Sequence, residues 1–100
     1  MVNIVDESNF DKEVLKSPKV LVDFNATWCG PCRMLAPVLL EFSKNAEVKV
    51  CSCDVDNSPN LAHKYGINSI PCLVLLENGI EIKRHIGFIN LDELKDFVGE

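Results

Sequence analysis

The sequence predicts an α/β fold, a mixed five-stranded sheet flanked by four helices in three layers. Three observations carry this. Val20-Leu21-Val22-Asp23-Phe24 is a nearly continuous apolar run, the pattern of a strand covered on both faces. A run with helical spacing follows it, and then a second apolar strand, which together make a βαβ unit with a right-handed crossover. Near the C-terminus, two strand-like runs flank Asn78-Gly79, a strong hairpin-turn signal.

The elements follow in order. Asn3 to Asp6 predicts a short first strand. Ser8, with Asp11 three residues on, reads as a helix start, with Phe10, Val14 and Leu15 on one face. Ser17-Pro18 ends that helix. After the Val20–Phe24 strand, Met34, Leu35, Val38, Leu39 and Phe42 recur at helical spacing, and Pro37 inside the pattern predicts a kink in that helix. Val48 to Val55 is the next strand. Ser58-Pro59 places a cap before a proline that suits the first helical position, and Gly66 ends the short helix. Cys72–Leu76 and Ile80–Ile86 form the hairpin. Asn90 with Glu93 opens a last helix carrying Leu91, Leu94, Phe97 and Val98.

The 100 residues fit one domain spanning residues 1–100, with no repeat or linker. The formal net charge of −5 argues against nucleic acid or an anionic membrane as partner. No apolar run approaches the roughly 20 residues of a membrane span. The first residues lack a basic segment followed by an apolar one, so a cytoplasmic protein is expected.

Five cysteines, an odd number, do not make a structural disulfide framework in such a chain. Cys29 and Cys32 stand apart from the rest. Their spacing lets two sulfurs meet across the first turn of a helix, and Cys29 falls at the mouth of that helix. Unpaired backbone N–H groups and the positive end of the helix dipole gather there and favour a thiolate, the reactive form of cysteine. Cys32 lies one turn inside and is expected to be the more sheltered sulfur. Gly30 leaves room for a bulky disulfide, Pro31 suits the early helical position, and Trp28 offers a flat apolar wall. Asp23, alone among apolar neighbours, reads either as a solvated carboxylate at a strand end or as a buried acid with a raised pKa.

Asp23-Phe24, Ala26, Trp28-Cys29-Gly30-Pro31-Cys32, Met34 and Ala36-Pro37 together resemble the central signature of the thioredoxin family. Val55-Asp56, Pro59, Tyr65-Gly66-Ile67, Ile70-Pro71, Asn78-Gly79 and Gly87 continue the match in order across nearly the whole chain. The resemblance implies the thioredoxin fold and a general protein disulfide reductase with no cofactor beyond the Cys29–Cys32 disulfide and no metal. Cys29 would attack a target disulfide, Cys32 would resolve the mixed disulfide, and Asp23 would take the Cys32 proton. Ile70-Pro71 would be a cis-proline turn facing the dithiol. With Trp28, Gly30, Pro31 and Gly87 it would form a substrate groove. The implied partners are disulfide-containing target proteins and a thioredoxin reductase, and the implied state is a monomer.

The chain departs from the family pattern at four places. Asn25 stands where many members have a second tryptophan. Arg33 replaces a common lysine. Phe88 follows Gly87 where a small residue is usual. Ser52 occupies the position of a buried lysine, so desolvation should dominate at Asp23 and push its pKa up. Three rival functions compete with this reading. Gly30-Pro31 and the missing leader oppose an oxidase or isomerase of the same fold. A non-catalytic, redox-dependent binding subunit would hold partners by contact alone. Cys51 and Cys53 with Cys29 and Cys32 could suggest a four-cysteine zinc site. They lie within a predicted strand, however, and read instead as small buried hydrophobes. Cys72 reads as packing, and His63 and His85 as surface residues.

Overall fold

The computed structural model describes all residues, Met1–Glu100. Five strands form one sheet: β1 (Asn3–Val5), β2 (Lys19–Asn25), β3 (Lys49–Asp54), β4 (Cys72–Glu77) and β5 (Ile80–Ile86). Their spatial order is β1-β3-β2-β4-β5. β1, β3 and β2 run parallel, whereas β4 and β5 are antiparallel additions. Three α-helices and one π-helical turn cover the sheet: the turn Asp11–Leu15, α1 (Gly30–Asn45), α2 (Pro59–Lys64) and α3 (Leu91–Val98). This is the mixed α/β sheet that the strand pattern predicts.

Strand alternation sorts the core into two layers. Val20, Val22 and Phe24 of β2 join Cys51, Cys53, Cys72 and Val74 on one face, under the π-helical turn and α2. Leu21, Val50, Leu73 and Leu75 point to the other face, where Leu35, Leu39 and Phe42 of α1 and Leu94 and Val98 of α3 meet them. Each fully buried Leu or Phe contributes about 1.5–3 kcal/mol by leaving water. Asp23 points toward the α1 side, and it is the one buried acid in β2.

Local chemistry sets the element ends. The Asn90–Glu93 capping box forms, with both side chains serving the opposite backbone N–H. Asn78 and Gly79 both take positive φ, 52° and 81°, as the tight hairpin requires. α1 runs through Pro37 as one helix of 16 residues.

Two expected caps fail. Ser8 does not cap a helix; its hydroxyl and its N–H both donate to the Asp6 carboxylate. Such a local side-chain turn competes with a helix start. The following segment winds as a π-turn, with Lys16 N–H donating to Asp11 C=O at 3.2 Å. Ser58 turns its hydroxyl into the interior and caps nothing. The carboxylate of Glu7 does that work from a distant part of the chain, accepting the Asn60 N–H at 2.6 Å. No helix is long and apolar enough to cross a membrane.

Candidate active site

β2 ends at Asn25, and the chain crosses to α1 through Ala26, Thr27 and Trp28. This connection puts Cys29 at the N-cap of α1 in extended conformation, φ −88° and ψ 115°. Its sulfur accepts the Cys32 N–H at 3.2 Å, so a cysteine does what Ser or Asp usually does at a helix start. Cys29 and Cys32 are joined as a disulfide, their Cα atoms 5.2 Å apart. The two residues are almost equally buried, at 5% and 4% exposure. The expected difference in shelter is therefore absent while the pair is closed, because the bond holds both sulfurs against the same small cluster with Ala26.

The surroundings of the disulfide are apolar and bare. A side chain added at Gly30 would meet nothing within 4 Å. Trp28 is exposed, and its indole N–H donates to the Asp56 carboxylate at 2.8 Å. Ile70-Pro71 is a cis peptide, and the Ile70 C=O lies 3.8 Å from the Cys29 sulfur. Ile70 itself makes no backbone–backbone hydrogen bond. Gly87, at φ 97°, donates its N–H to the Pro71 C=O at 2.8 Å, which ties the two loops together. Of the expected groove residues, Ile70 stands against the Cys29 sulfur, Trp28, Gly30 and Pro31 adjoin the disulfide along the chain, and Gly87 is linked to that turn through Pro71.

Asp23 sits below this surface. It is 3% exposed, and burial pushes its carboxyl from 3.8 up to about 6, opposed by a hydrogen bond from Asn25. The sequence-derived choice between a solvated and a buried acid is settled for the buried one. Ser52 is its register partner on β3. Asn25 Nδ2 donates to Asp23 Oδ2 at 3.0 Å and to the Ser52 hydroxyl at 2.8 Å. Asp23 Oδ1 has no hydrogen-bond partner. A groove of about 320 Å³ opens between β1 and α1, and both Asp23 and Cys32 line it with Asn25 and Ser52.

Two contributors escape a reading of the sequence alone: Asn25 as the donor to Asp23, and Asp56 as the anchor of Trp28. Period-two alternation was the available signal for the first, since residues 23 and 25 of one strand share a face. Nothing local signals the second. Cys51, Cys53 and Cys72 are packed in the opposite core layer, away from α1. Burial pushes the Cys51 thiol up to about 11 and raises Cys53 and Cys72, so all three stay neutral. No group of three or more His, Cys, Asp or Glu side chains is close enough to hold a metal ion. His63 is exposed, whereas His85 is half-buried with its ring near Phe97.

A disulfide between cysteines three residues apart at a helix mouth, on a mixed α/β sheet, marks a protein dithiol–disulfide oxidoreductase. The thioredoxin family model matches residues 1–100. The chain belongs to the thioredoxin family. It is 45% identical over 103 residues to a thioredoxin of Rickettsia felis, covering 100% of this chain and 98% of the relative. It is 41% identical over 101 residues to a thioredoxin of Chlamydia muridarum, with 100% and 98% coverage. A solved mutant thioredoxin from Halobacterium salinarum superposes with a TM-score of 0.91 at 35% identity, covering 97% of this chain and 87% of that one.

Proposed function

We propose that this chain is a general reductant of protein disulfides, acting as one domain and a monomer in the cytoplasm, and that a thioredoxin reductase restores its dithiol. The observation that carries the reading is the placement of Cys29: its sulfur stands at the helix mouth, beside the unpaired backbone of Ile70.

In the reduced protein, the Cys32 N–H and the helix terminus stabilise charge on the Cys29 sulfur. The thiolate attacks one sulfur of a target disulfide. That bond breaks, a mixed disulfide forms, and the departing target thiolate takes a proton from solvent. Cys32 then gives its proton to Asp23 and attacks the Cys29 sulfur. The second target thiolate leaves, and Cys29–Cys32 is oxidised by two electrons. Asp23 suits the base role because it is ionised near neutral pH yet shares a groove with Cys32. An extended target segment would pair with the free Ile70 backbone as an added strand does. Trp28, Gly30, Pro31, Pro71 and Gly87 would form the apolar walls.

The test is insulin disulfide reduction with a small dithiol as electron donor. Wild-type protein should accelerate it and Cys29→Ser should not; equal rates would refute the assignment. In single-turnover assays, Asp23→Asn should slow release of the mixed disulfide more than its formation.

A further inference from the structure

Asp23 is buried in a place where nothing positive faces it. The residues around it can be taken element by element. From β3 it meets Ser52, with Asp54 opposite Asn25 two register pairs further on. From β4 it meets Leu73, behind which lies His85 of β5; Cys72 pairs with Phe24 on the other face. From α1 come Cys32 and Arg33. Arg33 is exposed, and its guanidinium donates to the Thr27 C=O at 3.2 Å rather than to Asp23. The side-chain donor that reaches the carboxylate is Asn25.

The carboxamide geometry is well matched to that task. Asn25 Nδ2 has two hydrogens and finds three oxygens: Asp23 Oδ2 at 3.0 Å, the Asp23 C=O at 3.2 Å and the Ser52 hydroxyl at 2.8 Å. With one hydrogen serving the Ser52 hydroxyl, the other is left for the two Asp23 oxygens. Because only Oδ2 is held, Oδ1 keeps its lone pairs free.

We propose that Asn25 is a positioning residue, which holds the Asp23 carboxylate through one oxygen and leaves the other free to receive the Cys32 proton. A neutral amide thereby does what a buried cation would do, without fixing the proton acceptor in an ion pair. The inference rests on the reading of Asp23 as base. It extends that reading by assigning a second polar residue to the resolving step.

The experiment follows the Asp23 carboxyl by isotope-edited infrared titration in full-length protein, alongside the pH dependence of mixed-disulfide resolution. Asn25→Val keeps a residue suited to a strand and removes the donor; Asn25→Ala takes its place if the valine variant does not fold. Loss of the donor should move the titration midpoint upward from about 6. The acid limb of the resolution profile should move with it, a roughly tenfold slower resolution below both midpoints for each pH unit moved. Attack by Cys29 on the target should be unchanged. A merely structural role would lower stability and leave the midpoint in place, and that result overturns the proposal while leaving Asp23 as base. A midpoint that moves without the acid limb overturns the base reading, and the proposal with it.

Discussion

Replacing Asp23 with Asn should make the protein more stable at neutral pH and almost no more stable in acid. Burial holds the folded carboxyl at about 6, whereas the unfolded chain titrates near its ordinary 3.8. Between those values the folded protein keeps a proton that the unfolded chain releases. Stability therefore falls as pH rises through that window and levels off above the folded value. At roughly 1.4 kcal/mol per pH unit, the loss reaches about 3 kcal/mol at pH 7. The residue is 3% exposed, so solvent does little to reduce this figure. Asn at position 23 never ionises and still offers an oxygen to Asn25, so the variant escapes the loss. Urea unfolding of both oxidised proteins from pH 4 to pH 8 measures the difference. Other carboxylates titrate identically in the two proteins and cancel. The variant should gain under about 1 kcal/mol at pH 4 and about 3 kcal/mol at pH 7, equivalent to roughly 10 °C or more in Tm. A difference independent of pH would refute the claim that Asp23 ionises at a cost.

Other consequences are narrower. Gly79→Ala should cost about 1–3 kcal/mol in urea unfolding, since residue 79 has φ 81° and a Cβ there would stand 2.9 Å from the Leu15 C=O; unchanged stability would contradict the turn geometry. Cys51, Cys53 and Cys72 should resist iodoacetamide at pH 8 in the native oxidised protein, and all three should label after denaturation. Rapid native labelling would show that this core layer opens. Asp56→Ala should change the fluorescence of Trp28, the one tryptophan, while costing less than about 1 kcal/mol; an unchanged spectrum would mean the indole is not held there.

The fold was legible because patterning and local signals agreed. Val20–Phe24, the helical spacing after Cys32, Asn78-Gly79 and the Asn90–Glu93 box each specify their element from nearby residues. The misses have a shared cause. Ser8 and Ser58 look like caps, but Asp6 occupies the first and Glu7 serves the helix beside the second. Such competition is settled by tertiary placement, which the local sequence does not encode. At the site, Cys29 and Cys32 were readable from spacing, and burial of Asp23 from its apolar neighbours. The hydrogen bonds of Asn25 needed the β2–β3 register, and the Asp56 contact spans 28 residues of chain.

The most direct test is to trap the first covalent step. Cys32→Ser protein, reduced and mixed with a disulfide-bonded target, should accumulate a mixed disulfide that peptide mapping by mass spectrometry places on Cys29 and that does not release its target. A target found on Cys51, Cys53 or Cys72, or partners retained with no disulfide at all, would contradict an attack that begins at the mouth of α1.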